Sequence, residues 1–399
     1  MKLLEINEVN FGSTGNIMLQ IRDVAGREGL DAWVSYAKSR SNLKKDVSKK
    51  ILIGNKFERN ISWFFGKITG YNGCFNYLST YLFIKRIKRM NFDIIHLHNL
   101  HNTYINLSML FKYIKKNNVK IVWTFHDCWP FTGRCPHFDF IECEKWKNGC
   151  FKCKFAKNEY PQTNIDKSEK MWKLKKRWFS NVNDLTIVTP SLWLANLVRE
   201  SFLNSYNISV INNGINLDIF KPTKSDFRVK YKIENKFILL GVAFDWGKRK
   251  GLDIFIRLAN ILDSRFQIVM VVTDEIIDKL LPNNIISIHK TPNQVELAKI
   301  YSSCDLFVNP TREETFGMVN IESLACGTPV LTFDTGGCPE CVDDKTGRVI
   351  RKDDFEGMLK NIFDIYLNRP FNSSDCLIRS KLFNNYDMCK KYLNIFKNK

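Results

Sequence analysis

Residues 305 to 342 read DLFVNPTREETFGMVNIESLACGTPVLTFDTGGCPECV, a stretch in which short apolar runs alternate with polar and glycine-containing segments. The run from Asp305 to Pro310 is apolar and stops at proline, which is typical of a strand covered on both faces of a parallel sheet. A second apolar run, Val330 to Asp334, has the same character. Two such strands with one intervening segment predict a strand, helix, strand unit of an α/β protein.

The intervening segment predicts a helix that starts near Thr315 and ends at Cys326. Its apolar residues recur at the helical period and not at the period of a strand. Gly327 and Pro329 end the helix, because glycine accepts the left-handed cap geometry and proline cannot continue a helix. The amide groups at the helix N-terminus then point to the crevice above the carboxyl ends of the strands.

Two glutamates, Glu314 and Glu322, belong to this predicted helix. A spacing of eight residues separates them by about 12 Å along the axis. An acid and base pair across one glycosidic bond needs roughly 5 to 9.5 Å. The spacing therefore favours glutamates that hold two ends of one extended ligand. The alternative is a helix-dipole partner at Glu314 and an exposed helix residue at Glu322.

The whole pattern resembles a known family. Glu314 and Glu322, with FG at residues 316–317 and ACGTPV at residues 325–330, resemble the EX7E signature of retaining GT-B glycosyltransferases, in particular glycosyltransferase family 4. GGCPE at residues 336–340 is similar as well. The resemblance implies an α/β protein of two Rossmann-like doubly wound domains that face a central cleft.

The length of 399 residues exceeds what one core usually supports and predicts two domains. We expect an N-terminal acceptor-side domain over residues 1–205, with a cysteine-rich insert at about 128–155. A C-terminal nucleotide-sugar-binding domain then covers residues 206–375. The resemblance implies that residues 376–399 form a helix that crosses back to the N-terminal domain.

The net charge of +19 predicts an anionic partner, such as a membrane surface, a lipid diphosphate, a nucleic acid or a charged glycan. Lysine abundance from genome composition is the alternative explanation. No apolar run reaches the length of a membrane span, and the N-terminus lacks a signal-peptide pattern. We therefore expect a cytoplasmic protein whose twelve cysteines are thiols or metal ligands.

A glycine-containing loop at residues 10–16 follows the first predicted strand. Such a loop brings backbone and helix amides close to a ligand. The resemblance implies that Gly15 and Asn16 face the donor phosphates and the acceptor. An ordinary tight turn is the alternative, and the loop lacks the GxGxxG pattern of a dinucleotide site.

Two further predicted strands, residues 93–99 and 120–127, end in polar residues. His98 and His126 then lie at the carboxyl ends of strands, where doubly wound sheets bind ligands. The resemblance implies a place near the donor sugar for His126, which we take with Glu314 as a catalytic candidate. We expect His96 to be buried and structural.

The loop from Asp245 to Leu252 combines basic residues with a helix start, which suits a diphosphate. Lys250 matches the diphosphate lysine of the family, whereas Asp245 stands where a companion arginine is expected. We expect Lys248 or Arg249 to substitute for it. The resemblance further implies that Glu322 binds the ribose, and that Glu314 orients the sugar with Phe316 and Gly317.

Four cysteines, Cys135, Cys143, Cys150 and Cys153, lie within nineteen residues and end in a C-x-x-C pair. Four thiolates can surround one tetrahedral zinc ion and leave no open position for catalysis. We therefore expect a structural zinc and no catalytic metal. Reduced thiols and a redox pair are the alternatives.

Two stretches, residues 60–90 and 170–179, mix aromatic and basic side chains. Such stretches can lie on an anionic membrane surface, although packed helices with solvated lysines have the same composition. With the resemblance, they suggest a protein that is peripheral at the inner face of the cytoplasmic membrane.

The sequence thus predicts a retaining transferase that moves a hexose-type sugar from a UDP- or GDP-sugar to a lipid-linked oligosaccharide of a surface polysaccharide, such as O-antigen, capsule or exopolysaccharide. A nucleotide-sugar epimerase or a phosphorylase on the same scaffold is the second hypothesis. A zinc-containing nucleic-acid binder is the third, and it leaves the glycine loop and both glutamates unexplained.

Overall fold

The structure is a computed structural model that describes residues 1–154, 157 and 162–398. Residue 155, the last of the predicted insert, and residue 399 lie outside the described residues. The chain divides into two compact units. Unit 1 contains residues 1–212 and the segment from Met388 onward, and unit 2 is Asn213–Asp387. The division therefore falls after residue 212 and not after 205, and the returning segment begins at Met388 and not at residue 376.

Unit 1 is built on a parallel sheet of seven strands in the order β3-β2-β1-β4-β5-β6-β7. The strands are β1 (Lys2–Ile6), β2 (Asp31–Ala37), β3 (Lys50–Ile53), β4 (Ile94–Leu97), β5 (Lys120–Thr124), β6 (Leu185–Thr189) and β7 (Asn207–Val210). Because the strand order reverses between β1 and β4, a crevice opens there at the carboxyl edge of the sheet.

The helices of unit 1 are α1 (Gly12–Arg27), α2 (Arg40–Leu43), α3 (Lys56–Thr69), α4 (Tyr77–Met90), α5 (Leu107–Lys116), α6 (Ser168–Phe179) and α7 (Leu192–Glu200). Several begin at a side chain that caps a free amide, as at Ser191, whose Oγ accepts the Leu194 N–H at 3.2 Å. The core between α5, α6 and the sheet is aromatic, with Phe111, Trp123 and Phe179 in mutual ring contact.

Unit 2 contains a parallel sheet of six strands in the order β10-β9-β8-β11-β12-β13. The strands are β8 (Phe237–Val242), β9 (Phe266–Val271), β10 (Ile285–Ile288), β11 (Leu306–Asn309), β12 (Val330–Phe333) and β13 (Gly347–Ile350). The order reverses between β8 and β11. The two doubly wound α/β units confirm the predicted fold class.

The helices of unit 2 are α8 (Phe227–Lys230), α9 (Leu252–Ile261), α10 (Glu275–Asp278), α11 (Gln294–Ser302), α12 (Met318–Ala325), α13 (Cys338–Cys341), α14 (Phe355–Asn368) and α15 (Ser373–Ser380). A last helix, α16 (Asn385–Lys397), starts in unit 2 and continues in unit 1. Within unit 1 its Tyr392 hydroxyl lies 3.0 Å from the Thr124 Oγ1 atom.

Two predicted helix starts are wrong. Helix α12 begins at Met318 and not near Thr315, because Gly317 takes a φ of 99° that the helix cannot include. Glu314 therefore lies on the loop before α12, and the helical separation expected for the two glutamates does not apply. Helix α1 already begins at Gly12, so Gly15 and Asn16 lie inside the helix and not on the loop before it.

The second basic and aromatic stretch does not form the exposed patch that its sequence suggests. Trp172 and Trp178 of α6 are each 8% exposed, and Phe179 is fully buried. By contrast, α3 and α4 keep large apolar side chains at the surface. In the part of the chain that the structure describes, no helix combines the length and hydrophobicity needed to cross a membrane.

Candidate active site

The loops that follow β8 and β11 form the centre of the candidate site in unit 2. These loops, residues 243–251 and 310–317, leave neighbouring strands at the point where the strand order reverses. Both loops therefore emerge at the same edge of the sheet, beside the N-terminus of α12. The predicted donor residues lie on these loops and on α12.

Lys250 and Glu314 form an ion pair at this position. The Lys250 Nζ atom lies 2.9 Å from the Glu314 Oε2 atom and donates to the Glu313 carbonyl at 3.2 Å. The exposed fractions of the two side chains are 17% and 24%, so water reaches the pair. The other Glu314 oxygen, Oε1, accepts the Thr315 N–H at 3.0 Å. The structure thus brings together two side chains that the sequence places 64 residues apart.

Two glycines allow the backbones around this pair to approach closely. A Cβ on Gly336 would lie 1.6 Å from the Glu314 carbonyl oxygen, and Gly336 has a φ of 56°. A Cβ on Gly251, which has a φ of 78°, would lie 2.5 Å from two atoms of Pro310. Both positions therefore require glycine for space as well as for backbone conformation.

Arg312 fixes the basic loop, a role that the sequence reading missed. Its guanidinium binds both carboxylate oxygens of Asp253, at 2.7 and 2.8 Å, and lies 2.5 Å from an Asp353 oxygen. It also donates to the Lys248 carbonyl. Its side chain is 6% exposed, so it holds the loop from its buried side. The available signal was an arginine three residues after the end of a buried strand, next to two glutamates.

The cation expected near Asp245 is present, although it is paired. Arg249 lies 3.4 Å from an Asp245 carboxylate oxygen and 3.4 Å from a Glu313 carboxylate oxygen. Lys248, the other predicted substitute, is exposed. Arg249 thus offsets the charge of Asp245, and Lys248 and Lys250 add positive charge on either side of it.

Glu322 lies half-buried on α12. The Tyr301 hydroxyl donates to its Oε2 atom at 3.3 Å. Burial raises the pKa of Glu322 to about 7, and the bond from Tyr301 lowers it only in part. A carboxyl group with few polar partners in the protein is suited to accept hydrogen bonds from a ligand.

Phe316 does not offer its ring to a ligand. The ring is 1% exposed and packs against Phe383, with centroids 5.7 Å apart. Only the backbone of Phe316 and Gly317 remains for ligand contact. Beside Gly317, the Nδ2 atom of buried Asn320 has no hydrogen-bond partner among the described residues.

A buried chain of polar side chains ends at His126 in unit 1. His98 Nε2 lies 2.7 Å from the Glu5 Oε2 atom, and His98 Nδ1 lies 2.9 Å from His126 Nε2. Burial lowers the pKa of His98 to about 3 and that of His126 to about 4, so both rings are neutral. With His98 donating to Glu5, the hydrogen-bond pattern makes His126 Nε2 the next donor. The Nδ1 atom of His126 is then a hydrogen-bond acceptor.

Glu5 was missed by the sequence reading, although a glutamate in the middle of an apolar strand is a signal. It is fully buried on β1, and burial raises its pKa while the His98 bond lowers it in part. His96 also lies 2.9 Å from the same Glu5 oxygen and 2.8 Å from the Thr124 hydroxyl. His96 is fully buried, which confirms its predicted structural role.

Gly15 and Asn16 are neighbours in sequence but lie in different environments. Gly15 is buried, and a Cβ there would lie 2.7 Å from the Asn10 carbonyl carbon. Asn16 is exposed. Gly15 thus packs α1 against the loop that follows β1, and only Asn16 presents a side chain to solvent.

The four cysteines of the insert do not converge. Among the described residues, no three of these thiols have sulfur atoms within 4.8 Å of one another. The group that meets this criterion is Glu5, His96 and His98, with one ligand atom from each residue. Cys150 Sγ instead accepts the Gly133 N–H at 3.0 Å. Burial raises the pKa of Cys135 to about 11 and that of Cys150 to about 12. The zinc site therefore stays a prediction.

Two parallel sheets, each with a reversed strand order, are the architecture of the GT-B fold of glycosyltransferases. Family models match both parts of the chain. "Glycosyltransferase Family 4" matches residues 57–219, and "Glycosyl transferases group 1" matches residues 234–368. Together they cover about three quarters of the sequence, and the chain belongs to these glycosyltransferases.

Named relatives and solved structures agree with this family. The putative colanic acid biosynthesis glycosyl transferase WcaC of Escherichia coli is 24% identical over 65% of this chain, and the match spans 64% of that relative's length. Sucrose-phosphate synthase from Thermosynechococcus elongatus has a TM-score of 0.73 and 17% identity, over 99% of this chain and 98% of its own. Anabaena HepE in complex with UDP has a TM-score of 0.70 and 14% identity, over 99% of each chain.

Proposed function

We propose that this protein is a retaining glycosyltransferase that moves a hexose-type sugar from a UDP- or GDP-sugar to a polyprenyl-diphosphate-linked glycan of a surface polysaccharide. The pairing of Lys250 with Glu314 beside the α12 N-terminus carries this proposal. Two relatives support it. WcaC is named for colanic acid biosynthesis, and HepE was solved with UDP bound.

The donor diphosphate gains negative charge as the glycosyl bond breaks. Lys250, with Lys248 and Arg249 on the same loop, offers positive charge to that leaving group, and the amides at the start of α12 offer hydrogen bonds. These protein groups can stabilise the negative charge of the leaving diphosphate, so the proposal needs no catalytic metal. Arg312 acts indirectly because it holds the Lys248 carbonyl.

The other predicted residues orient the two ends of the donor. Glu322 accepts hydrogen bonds from the ribose hydroxyls, which suits a carboxyl group that has few partners in the protein. Glu314 and the backbone of Phe316 and Gly317 orient the sugar. His126 offers its Nδ1 atom to a sugar hydroxyl. The bond from the anomeric carbon to the diphosphate breaks, the acceptor hydroxyl oxygen bonds that carbon on the same face, and the hydroxyl proton passes to the departing diphosphate oxygen, which retains the anomeric configuration.

A thermal-shift screen of UDP-, GDP- and dTDP-sugars tests the donor class, because a ligand that binds only the folded state raises the apparent stability. The sugar nucleotide that shifts the melting temperature is then incubated with a short-chain prenyl-diphosphate-linked glycan. We expect a product with the anomeric configuration of the donor, read by NMR. Turnover of the sugar nucleotide without acceptor would indicate an epimerase. Salt-sensitive nucleic-acid binding without sugar-nucleotide affinity would contradict the whole proposal.

We also propose that α3 and α4 form a surface that contacts an anionic membrane. The exposed fractions of Phe57, Trp63 and Phe64 on α3 are 75%, 58% and 52%, and those of Tyr77 and Leu78 on α4 exceed 60%. The same α4 helix exposes the basic residues Lys85, Arg86, Lys88 and Arg89. Aromatic and basic side chains on one helix pair match the interface and headgroups of an anionic bilayer.

Vesicle co-sedimentation tests this surface. We expect binding to vesicles with phosphatidylglycerol and weak binding to pure phosphatidylcholine vesicles. Phe64→Ser with Tyr81→Ser should reduce the bound fraction severalfold. Leu367→Ser, which changes a side chain that is 69% exposed on α14, is the matched control and should bind like the unmodified protein. Equal binding by the double variant and the control would overturn the proposal.

A further inference from the structure

Glu5 lies fully buried on β1, and the proposed mechanism gives it no role. Among the described residues it pairs with two histidine rings and with no lysine or arginine. Burying a carboxyl group in this way is costly, so a functional reason for it is expected. We propose that Glu5 is a positioning residue: through His98 it holds the proton on the Nε2 atom of His126 and keeps the Nδ1 atom as a hydrogen-bond acceptor for the donor sugar. The inference rests on the proposed function.

The three side chains form one chain in a straight line. The Glu5 Oε2 atom lies 2.7 Å from His98 Nε2, and His98 Nδ1 lies 2.9 Å from His126 Nε2. The two ring planes differ by 10°, and the ring centroids are 5.2 Å apart. This separation is close to the largest that two rings joined at these nitrogens can have, so the rings lie side by side in nearly one plane and not face to face. In this arrangement a ring N–H points straight at the lone pair of the next ring.

The backbone around His98 holds its ring in place. The His98 N–H donates to the Ile6 carbonyl at 2.8 Å, and the His98 carbonyl accepts the Trp123 Nε1–H at 3.1 Å. His98 is 1% exposed, so the ring has little room to turn over. The ring is neutral and carries one N–H and one lone pair. The partner at Glu5 therefore decides which of its two nitrogens donates.

Glu5, His96 and His98 meet a distance criterion for a metal site, but their spacing favours hydrogen bonds. The Glu5 Oε2 atom lies 2.7 Å from His98 Nε2 and 2.9 Å from His96 Nδ1. Ligand atoms that each lie about 2.0 Å from one tetrahedral zinc ion would be about 3.3 Å apart. The shorter distances indicate a proton between the atoms and not an ion.

The position of the proton on His126 matters for the charge of the sugar. A lone pair at Nδ1 draws the proton of a sugar hydroxyl toward the imidazole and leaves the hydroxyl oxygen richer in electrons. The sugar gains positive charge as the glycosyl bond breaks, so this polarisation stabilises the transition state. An N–H at the same place would have the opposite effect. Carboxylates that fix the tautomer of a catalytic histidine act in a comparable way in hydrolases.

Glu5→Gln should reverse the direction of the chain with little change of shape. The other Glu5 oxygen, Oε1, has no hydrogen-bond partner among the described residues. An amide NH2 group at the Oε1 position would leave two donors unpaired, whereas an NH2 group turned toward His98 leaves one acceptor unpaired. The second arrangement is favoured. His98 then accepts at Nε2 and donates from Nδ1, and the proton of His126 moves to its Nδ1 atom.

NMR of the histidine ring nitrogens in the full chain tests the inference, with His126→Asn to assign the signals. We expect the Nε2–H tautomer of His126 in the unmodified protein and the Nδ1–H tautomer in Glu5→Gln. Tyr392→Phe is the matched control, because its buried hydroxyl reaches His96 only through Thr124, on the other side of Glu5. This control should keep the Nε2–H tautomer.

Steady-state kinetics with the sugar nucleotide from the screen give the second readout. Glu5→Gln should lower kcat about 100-fold and change the donor KM less than about threefold, because the contact gains most in the transition state. Tyr392→Phe should keep kcat within about twofold of the unmodified protein. If Glu5→Gln does not fold, His98→Asn takes its place, because it interrupts the same chain and should lower kcat in the same way.

The two readouts separate this inference from the proposed function. The tautomers need no substrate, so they decide how Glu5 acts on His126 even if no donor supports transfer. An Nδ1–H tautomer of His126 in the unmodified protein, or the same tautomer in Glu5→Gln as in the unmodified protein, would overturn the inference. A changed tautomer with full kcat, or an equal loss of kcat in Glu5→Gln and Tyr392→Phe, would overturn it as well while transfer itself stands.

Discussion

Lys250 and Glu322 differ in how well their charges are compensated in the free protein. Lys250 already has a carboxylate partner at 2.9 Å, so a bound diphosphate must compete with Glu314 or share the lysine with it. Glu322 is half-buried and has a raised pKa, so a ligand that donates hydrogen bonds to its carboxyl group lowers the free-energy cost of ionising it. Donor binding should therefore gain more free energy from hydrogen bonds to Glu322 than from the contact with Lys250, which already has a partner.

Lys250→Ala should lower kcat/KM about 100-fold, because removal of one preorganised group that stabilises developing charge typically costs a factor of this size. The measurement is transfer with the sugar nucleotide identified by the screen. Lys279→Ala removes an exposed lysine of the same unit and should stay within twofold. A Lys250→Ala enzyme with activity within threefold of the unmodified protein would remove Lys250 from the mechanism.

Glu322→Gln should have two effects of opposite sign. The pKa of Glu322 is raised from 4.5 to about 7, so its ionised form destabilises the fold, and this penalty grows as pH rises from about 4.5 to 7. The neutral glutamine should therefore raise the free energy of unfolding at pH 8 by up to about 3 kcal/mol, seen as a higher melting temperature, and leave it nearly unchanged at pH 4. Donor affinity should fall at pH 8, where an ionised carboxylate offers two acceptor oxygens to the ribose and glutamine offers one, and it should change little at pH 4, where Glu322 is neutral.

The Glu322 interpretation fails if the variant keeps full donor affinity. A second check follows from the same pKa. Donor hydroxyls favour the ionised carboxyl, so binding near pH 7 should release protons, which calorimetry in buffers of different ionisation enthalpy detects.

At the scale of elements, the strands of the sheets could be predicted from sequence and several helix starts could not. Fully buried parallel strands are short apolar runs, and residues 305–310 and 330–334 contain β11 and β12. Helix α12 starts late because Gly317 adopts a left-handed conformation, which local periodicity does not reveal. The supports of the site were missed for another reason: Arg312 and Glu5 act through partners at Asp253 and His98, far away in sequence.

Gly336→Ala should displace the Glu314 loop, since its Cβ would lie 1.6 Å from the Glu314 carbonyl oxygen. We expect at least a tenfold loss of donor affinity and a lower melting temperature. Gly29→Ala is the control, because Gly29 also has a positive φ, 87°, but has no atom within 4 Å of its Cβ position. The control should lose only the stability expected for alanine in this conformation. Equal donor affinity in the two variants would contradict a role for the close approach.

The cysteine insert makes a separate prediction about metal. If zinc draws the four sulfurs together, the purified protein should contain about one zinc per chain by elemental analysis. Cys143→Ser with Cys153→Ser should remove the zinc and lower the melting temperature, whereas Cys74→Ser, outside the insert, should keep it. Protein without zinc and with all twelve thiols reactive after unfolding would favour reduced thiols. Two missing thiols would favour a redox pair.

At the scale of the whole molecule, the two units respond differently to acid. Unit 1 holds three neutral histidine rings, the buried His96 and His98 and the half-buried His126, because removal from water lowers their pKa to about 3, 3 and 4. Unfolding frees them to bind protons below about pH 6.5, so their contribution to stability is present above that pH and is lost as pH falls. Glu5 and Glu8, whose pKa values burial raises, act in the opposite direction. In unit 2, the hydrogen bond with Asp278 raises the pKa of the exposed His289. Its contribution to stability, like that of the two glutamates, is therefore present in acid and is lost as pH rises.

The histidine contribution can be isolated with His126→Asn. At pH 5 the neutral burial of His126 costs about 2 kcal/mol relative to pH 7.5, from a folded pKa of about 4 and an unfolded value of about 6.5. Hydrogen exchange of peptides that span β4 and β5, corrected for intrinsic rates, should show a loss of protection at pH 5 that is smaller in the variant. His289→Asn is the control and should leave these peptides unchanged while it slightly weakens unit 2 in acid. An identical acid response of β4 and β5 in His126→Asn and the unmodified protein would show that His126 is not held neutral by the fold, and its assignment as the acceptor end of the Glu5 and His98 chain would fall with it.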